Sequence, residues 1–289
     1  MYVPCSGFRV KAATHSGGDH RNGGVSVKTS SVFLGIGKVL KKPVFILQDY
    51  SLLALHSVRV IFTTTRYSGD LVEQMDLIGV GSLLIIIVAL LCVGGVIVLN
   101  AASQFTRFGE TVLTGDALSL SLLRELGPVF TALLVAGRNA TGMASQLGSM
   151  VVTEQVDAMR GIGVDPIRKL MTPRVLATVL ILPLLVAVGD CAGLFGGFLV
   201  ASITLHLNAE QFWTRAIKAL VAGDIVIGFS KPIIFGFLIA TIGCYQGLRV
   251  KGGTEGVGRA TIMAFVVSSL AVLIADLFLT RLMLYVFKL

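Results

Sequence analysis

Charged side chains are scarce in this sequence. They make up 14% of its 289 residues, whereas soluble domains carry roughly a quarter. Hydrophobic residues make up 54%, so the composition excludes an ordinary soluble domain and indicates an integral membrane protein. The formal net charge is +8, but the bases lie mostly between apolar segments and do not form one patch. This distribution argues against nucleic acid as a partner, and it favours membrane topology signals and contacts with anionic lipid.

Residue patterns of catalytic and metal sites are also missing. The four cysteines form no CxxC pair, and the four histidines are scattered, with no HExxH or other metal-ligand spacing. No G-x-x-x-x-G-K-[ST] loop is present, so the chain cannot hydrolyse ATP by that route. The glycine-rich stretch 252–258 follows no strand, which excludes a dinucleotide site. We therefore expect a protein that is not an enzyme and needs no metal or cofactor.

The N-terminal part predicts a tail followed by membrane-surface helices. Residues 1–31 are rich in Gly, Ser and Thr and carry four Lys and Arg against one acid, which predicts a disordered basic tail. An organelle transit peptide has a similar composition, so that alternative stays open. Within 32–69, the apolar runs 32–40 and 52–62 fall short of the ~20 residues that a spanning helix needs. They predict two interfacial helices, or alternatively one irregular span with snorkelling ends.

Long apolar stretches predict an all-α membrane protein with about five spans. Lys and Arg concentrate in the N-terminal segment and in the loops 140–174 and 249–259. This bias predicts a cytoplasmic N-terminus and a C-terminus on the far side. An odd number of spans gives no two equal halves, which argues against an inverted-repeat transporter. The expected spans are about 77–99, 117–139, 175–204, 225–248 and 261–287.

Several charged side chains fall inside these spans, where each costs at least ~2.5–3.5 kcal/mol on insertion scales. Counting 1.5 Å per residue places them in the middle and outer parts of the bilayer, where they could hold an amphiphile headgroup. We expect Glu125 to pair with Lys231 or Arg281, and Arg124 to pair with Asp276. Alternatively, the bases snorkel outward and the acids only neutralise them. The candidate cavity residues are Arg124, Glu125, Lys231, Asp276, Thr280 and Arg281.

The third span carries a ladder of small residues. Gly189, Gly193 and Gly197 recur every four residues, a spacing that lets helices approach closely in a membrane. Asp190 lies beside this ladder near mid-depth. It is expected to be a structural group that hydrogen bonds between helices, although a proton-relay role stays open.

The segment 142–160, between the second and third spans, is too polar to cross a membrane and predicts an amphipathic coupling helix. Its apolar stripe includes Met143, Leu147 and Met150, and Glu154 falls in the middle of that stripe. Such a carboxylate is costly against lipid but suits a groove on a cytoplasmic partner that offers a donor. An interfacial helix with a snorkelled Glu154 is the alternative. The expected coupling residues are Met143, Leu147, Met150, Glu154, Asp157 and Arg160.

Several ordered motifs in residues 70–289 are similar to those of a known family. The chain resembles the MlaE/YrbE-type permeases of ABC lipid transporters, which work with MCE-domain proteins. The motifs that carry the resemblance are Leu120–Val129, Ala136–Arg138, Leu147–Met159, Gly163–Arg168, Pro173–Ala177, Gly243–Arg249 and Gly256–Thr261.

This resemblance implies a permease that moves phospholipid or a similar amphiphile between inner and outer membranes. It implies a homodimer in a bacterial inner membrane, or alternatively in the chloroplast inner envelope. A cytoplasmic ATPase subunit would supply the power through the coupling helix, a periplasmic MCE-domain protein would exchange lipid, and a small STAS-domain protein often accompanies the ATPase. The first, second and fifth spans would line the lipid cavity. By motif, the positions of functional interest are Arg124, Glu125, Arg259, Asp276 and Thr280.

Two other classes of protein remain open. An ion-coupled secondary transporter would use Asp190, Asp276 and Glu125 as proton relays. A membrane scaffold would only recruit soluble proteins, and its buried charges would have no role in transport.

Overall fold

The computed structural model describes residues 48–57, 59, 68–108 and 113–287. Across these ranges the chain is almost entirely helical and contains no strand. Five helical segments are long and apolar enough to cross a membrane, which confirms the predicted all-α membrane fold. We refer to them as spans 1 to 5: Gly69–Phe105, Thr114–Val152, Ile167–Thr204, Ala222–Leu248 and Gly253–Met283.

The helices follow one another with short connections. Residues 48–57 form helix α1. The later helices are α2 (Ser68–Phe105), α3 (Thr114–Ser121), α4 (Gly127–Val135), α5 (Thr141–Val152), α6 (Gln155–Gly161), α7 (Thr172–Thr204), α8 (Ala209–Lys218), α9 (Ala222–Leu248) and α10 (Gly253–Phe287). Three π-helical turns interrupt this pattern, at Leu122–Leu126, Ala136–Ala140 and Ile167–Met171. Span 2 therefore consists of α3, α4 and α5 joined by two π-turns.

The N-terminal predictions fall largely outside these ranges. The proposed tail 1–31 and the first interfacial run, 32–40, lie in residues that the structure does not describe. The second run is described in part, as α1. Tyr50 of α1 shares a 2.8 Å hydrogen bond with Thr241, and Asp49 lies 2.7 Å from the Arg249 guanidinium. These contacts attach α1 to the end of span 4.

The segment 142–160, predicted as one helix, is divided into two helices in the structure. Helix α5 is the last part of span 2 and ends at Val152, and α6 begins at Gln155. Between them Glu154 adopts a left-handed conformation with φ of 59°, which no α-helix can contain. The Thr153 hydroxyl donates to the Ser149 carbonyl at 2.9 Å, and the Thr153 N–H donates to the same oxygen at 3.0 Å, a pattern that often bends a helix.

Span 2 lies at the centre of the bundle. The largest cluster of buried apolar residues draws on all five spans, and the contribution of span 2 is mostly small side chains. Small residues let neighbouring helices pack closely where lipid offers no competing hydrophobic force. These buried residues of span 2 are Leu122, Ala132, Val135, Ala136, Ala140 and Ala144.

Spans 1 and 3 pack together through glycines. A Cβ on Gly94 would lie 1.9 Å from the Gly193 carbonyl oxygen, and one on Gly196 would lie 2.1 Å from the Leu91 carbonyl oxygen. A Cβ on Gly197 or Gly193 would meet leucine side chains of span 2 at 2.3 or 2.8 Å, and one on Gly189 would lie 3.0 Å from Ile86. The glycines of span 3 therefore permit close approach of two neighbouring helices.

Substitution of Gly94 by alanine is expected to destabilise the protein. The new methyl group would overlap a backbone oxygen and push span 1 from span 3, at a cost of about 1–3 kcal/mol. Denaturant-induced unfolding in mixed micelles measures this change. Gly142→Ala is the matched control, because nothing lies within 4 Å of the Cβ position there. Equal stability of the two variants would contradict the packing of spans 1 and 3.

Candidate functional site

The Lys231 side chain of span 4 is completely buried, and its ammonium group is surrounded by acceptors from spans 2 and 5. Nζ donates to Glu125 Oε2 at 2.9 Å and to Thr280 Oγ1 at 2.9 Å. Asp276 Oδ1 lies 3.0 Å away as a second carboxylate partner. A buried charge is tolerated only when it is paired and hydrogen bonded, and these contacts meet that condition. We call Glu125, Lys231, Asp276 and Thr280 the Lys231 cluster.

The backbone of span 2 supplies a further acceptor for Lys231. Its Nζ donates to the carbonyl oxygen of Arg124 at 2.8 Å. In an α-helix that carbonyl would accept from the residue four positions later, which is Pro128 and has no N–H to donate. The π-turn Leu122–Leu126 also disturbs the regular ladder here, as such turns often do at functional sites. Pro128 and the π-turn thus leave the Arg124 carbonyl oxygen available to accept the hydrogen bond from Lys231.

Thr280 joins the two charged partners. Its hydroxyl accepts from Lys231 and donates to Glu125 Oε1 at 3.0 Å. Glu125 is therefore held through both carboxylate oxygens, one by each neighbour. This arrangement fixes the orientation of an acid whose side chain remains 39% exposed. Of the pairs expected from the sequence, Glu125–Lys231 is present in the structure.

The predicted pairing of Arg124 with Asp276 is wrong. Arg124 Nε donates instead to Asp224 Oδ1 at 2.7 Å, and the Asp224 side chain is completely buried. Adjacent helical residues project about 100° apart, so Glu125 reaches span 5 while Arg124 reaches the start of span 4. Asp224 Oδ2 also accepts from the backbone N–H of Val221 at 3.0 Å.

Sequence reasoning missed Asp224, which lies immediately before the predicted fourth span at 225–248. A signal was present, because an acid in the first turn of a helix can cap its free N–H groups. Asp224 is the third residue of span 4.

An open cavity of about 530 Å³ lies beside the Lys231 cluster. Its lining combines carboxylates, a hydroxyl, an exposed guanidinium and an apolar side chain: Glu125, Asp276, Leu277, Thr280 and Arg281. Four of the six residues predicted to line a cavity do so. Lys231 lies behind this lining, and Arg124 does not contribute to it. The cavity therefore presents both signs of charge next to apolar surface.

The expected coupling residues divide into two groups. Met143 and Leu147 are buried in the chain's own core against span 4, and Met150 packs against the same cluster. Helix α5 is thus packed within the bundle, and the role of these three residues as partner contacts stays a prediction. Glu154, Asp157 and Arg160 are exposed, with Asp157 and Arg160 paired at 2.9 Å.

Asp190 and Arg259 do not join the Lys231 cluster. Asp190 is 9% exposed and lies against Gly127, and its Oδ1 has no hydrogen-bond partner in the described part of the chain. The expected interhelical hydrogen bond of this oxygen is thus not found. Arg259 is exposed and lies 3.6 Å from Glu255 of the same helix. Within the described ranges no group of three or more His, Cys, Asp or Glu residues could hold a metal ion.

Five apolar spans that enclose paired charges beside an open cavity define a multi-pass, all-α membrane protein. A family model described as Permease MlaE matches residues 71–282. The chain is 37% identical over 233 residues to a probable ABC transporter permease protein of Rickettsia prowazekii, covering 81% of this chain and 90% of that relative.

Two further relatives have more specific names. The chain is 36% identical over 214 residues to the intermembrane phospholipid transport system permease protein MlaE of Haemophilus influenzae, covering 74% of this chain and 82% of the relative. It is also 36% identical over 208 residues to the chloroplastic protein TRIGALACTOSYLDIACYLGLYCEROL 1 of Arabidopsis thaliana, covering 72% and 59%. The chain belongs to the MlaE permease family. It is therefore a permease of an ABC transporter, a class that works with an ATPase partner.

Proposed function

We propose that this permease moves phospholipid or a similar amphiphile between the inner and outer membranes, with the headgroup held at the cavity beside the Lys231 cluster. The observation that carries the proposal is the composition of that cavity. The exposed Arg281 can contact a phosphate, Glu125 can contact an ammonium group, and Leu277 offers apolar surface to the rest of the molecule. The name of the Haemophilus influenzae relative supports a phospholipid substrate.

Transport requires a source of energy outside this chain. ATP hydrolysis would take place on a partner subunit that contacts the exposed Glu154, Asp157 and Arg160 at the turn between α5 and α6. Because α5 packs on spans 4 and 5, a push on this turn would be transmitted toward the helices that carry Lys231 and Asp276. A ligand shifts such an equilibrium only by its different affinities for the two states, so the ATPase must hold the two states differently.

The remaining assembly follows the family pattern. A homodimer in a bacterial inner membrane would place two cavities beside the interface between its subunits. A periplasmic MCE-domain protein would exchange lipid with these cavities. A small STAS-domain protein would bind the ATPase. The chloroplast inner envelope is an alternative location, and the chloroplastic relative supports it. Residues 70–289 form the permease domain in this proposal, and the N-terminal segment lies outside that domain.

Charge reversal at Glu154 tests the coupling. Glu154→Lys is expected to lower ATP-dependent lipid transfer at least about tenfold, because the substitution places a cation where the partner meets a carboxylate. Transfer is measured from proteoliposomes that contain the permease and its ATPase subunit. Glu73→Lys is the matched control, since Glu73 is also an exposed acid but lies at the start of span 1. Its transfer rate is expected to stay within about twofold of the wild type.

The same assay separates the alternatives. Lipid flux driven by a proton gradient without the ATPase would overturn the proposal in favour of an ion-coupled transporter. Unchanged lipid flux in a Glu125→Gln variant, together with loss of ATPase binding in Glu154→Lys, would favour a scaffold. ATP-dependent transfer that both substitutions reduce is the result that supports the proposed permease.

A further inference from the structure

Arg138 lies in the π-turn Ala136–Ala140 of span 2 and is exposed on the surface of the bundle. Its guanidinium lies directly on span 1 at Gly81, where a Cβ would come within 2.6 Å of Nη2. Gly81 therefore makes room for this group. No acid lies within ion-pair distance of Arg138 in the described ranges 48–57, 59, 68–108 and 113–287. Among the described residues, this charged group therefore lies against a membrane helix without an acidic partner.

The depth of Arg138 follows from its contact with Gly81. The uncharged run of span 1 begins at Leu77, just after Asp76, and extends to Leu99. At 1.5 Å per residue Gly81 lies about 6 Å inside the start of that run. An arginine at this depth reaches the level of the lipid phosphates by extending its side chain. Arg124 lies 14 residues earlier in span 2, about 21 Å toward the opposite face of the membrane.

The surroundings of Arg138 suit a polar ligand with an apolar tail. Ser82 Oγ and Asn139 Nδ2, from the residues next to Gly81 and Arg138, are buried and have no hydrogen-bond partner within the described part of the chain. Phe265 of span 5 lies beside Gly137, with its ring 3.7 Å from a Cβ placed there. The contact between spans 1 and 2 is therefore polar at this level, with an aromatic ring next to it.

We propose that Arg138 binds the phosphate of an anionic phospholipid in the leaflet at the N-terminal end of span 1. A guanidinium donates two parallel hydrogen bonds to a phosphate, which distinguishes it from a lysine at the same place. In the cavity beside the Lys231 cluster, Glu125 and Asp276 accompany Arg281, so a zwitterionic headgroup could be accommodated there. No acid of the described part of the chain pairs with Arg138, so a net negative lipid is favoured there. The site is separate from the proposed transport cavity and does not depend on it.

Native mass spectrometry of the purified full-length protein tests this assignment. The protein is incubated with an equimolar mixture of phosphatidylglycerol and phosphatidylcholine, and the lipids retained by each chain are counted. Arg138→Gln is expected to lower phosphatidylglycerol retention about tenfold, since a charge-assisted bidentate contact is lost. Arg138→Lys is expected to fall between this variant and the wild type. Phosphatidylcholine retention is expected to stay unchanged in both.

Arg168→Gln is the matched control, because it removes one exposed cation outside the apolar run and preserves every residue of the proposed site. Its phosphatidylglycerol retention is expected to stay within about twofold of the wild type. Two results would overturn the proposal: unchanged phosphatidylglycerol retention in Arg138→Gln, and an equal loss of retention in Arg168→Gln. If unchanged retention in Arg138→Gln came with a loss of dimer, Arg138 would be assigned instead to an interface between copies.

Discussion

Replacement of Lys231 by methionine is expected to destabilise the protein by about 3–5 kcal/mol, the largest effect of any single substitution considered for this chain. Methionine has a similar length and a flexible apolar side chain, so the volume is nearly conserved. The loss is electrostatic, because the carboxylates of Glu125 and Asp276 would remain without the cation that lies 2.9 and 3.0 Å away. The Arg124 carbonyl would also lose its donor. Unfolding in mixed micelles measures the change.

Neutralising the acids should rescue the fold of this variant. In Lys231→Met/Glu125→Gln/Asp276→Asn no charge remains in the cluster, and at least half of the lost stability is expected to return, since the amides can bond to Thr280 and to each other. Lipid transfer is expected to stay lost, because the cavity has lost its carboxylates. This combination separates the structural role of the cluster from its proposed role in binding.

Lys251→Met provides the control for the loss of a cation. Lys251 is exposed at the connection between spans 4 and 5, so its removal is expected to change stability by less than about 0.5 kcal/mol. A Lys231→Met protein as stable as Lys251→Met would contradict the buried ion pairs. Failure of the triple variant to recover stability would show that lost packing, and not unpaired charge, caused the damage.

Much of this fold could be predicted from the sequence because a bilayer imposes simple requirements. The apolar stretches gave the number of spans correctly, since a membrane helix must satisfy its backbone internally and present apolar side chains. Span ends were less accurate. Span 2 runs to Val152, well beyond the predicted end near residue 139, because helix continues after the chain leaves the apolar layer. Hydropathy indicates which residues lie in the apolar layer of the membrane and does not indicate how far the helix extends beyond that layer.

Charge pairs at depth were only partly predictable. Lys231 and Glu125 could be matched because each was a charge inside an apolar span that needed an opposite partner in the same part of the bilayer. Asp224 was missed because it lies at a helix start, where acids are common for reasons of helix stability and do not indicate a buried ion pair. Pro128 is visible in the sequence, but the residue pattern did not reveal the π-turn that also disturbs the backbone hydrogen bonds near the Arg124 carbonyl.

The segment 142–160 shows where a helical wheel fails. The wheel assumed one uninterrupted helix and placed Met143, Leu147 and Glu154 on one face. The left-handed conformation of Glu154 ends that helix, so Met143 and Leu147 have different surroundings from Glu154. Leu147 is buried against span 4, whereas Glu154 is exposed. Periodicity cannot detect a single residue of positive φ when that residue is not glycine.

Asp224→Ala is expected to produce the second large loss, about 2–4 kcal/mol, because Asp224 has two partners. Its Oδ1 accepts from Arg124 and its Oδ2 caps the Val221 N–H, and the side chain is completely buried. Alanine removes both contacts and leaves the Arg124 guanidinium unpaired. Unfolding in mixed micelles gives the size of the loss. Asp224→Asn retains an acceptor for the cap but loses the charge, so an intermediate stability is expected.

A double-mutant cycle separates the two contributions of Asp224. If the ion pair dominates, Arg124→Gln/Asp224→Asn is expected to be more stable than the sum of the single losses predicts, since neither partner is then left charged alone. Asp116→Ala is the control, because Asp116 lies 3.8 Å from Arg215 with both side chains partly exposed, and such pairs contribute only about 0–1 kcal/mol. Additive losses would assign the effect to the helix cap. Losses no larger than that of Asp116→Ala would contradict the pairing of Arg124 with Asp224, and with it the anchoring of the span 2 π-turn to the start of span 4.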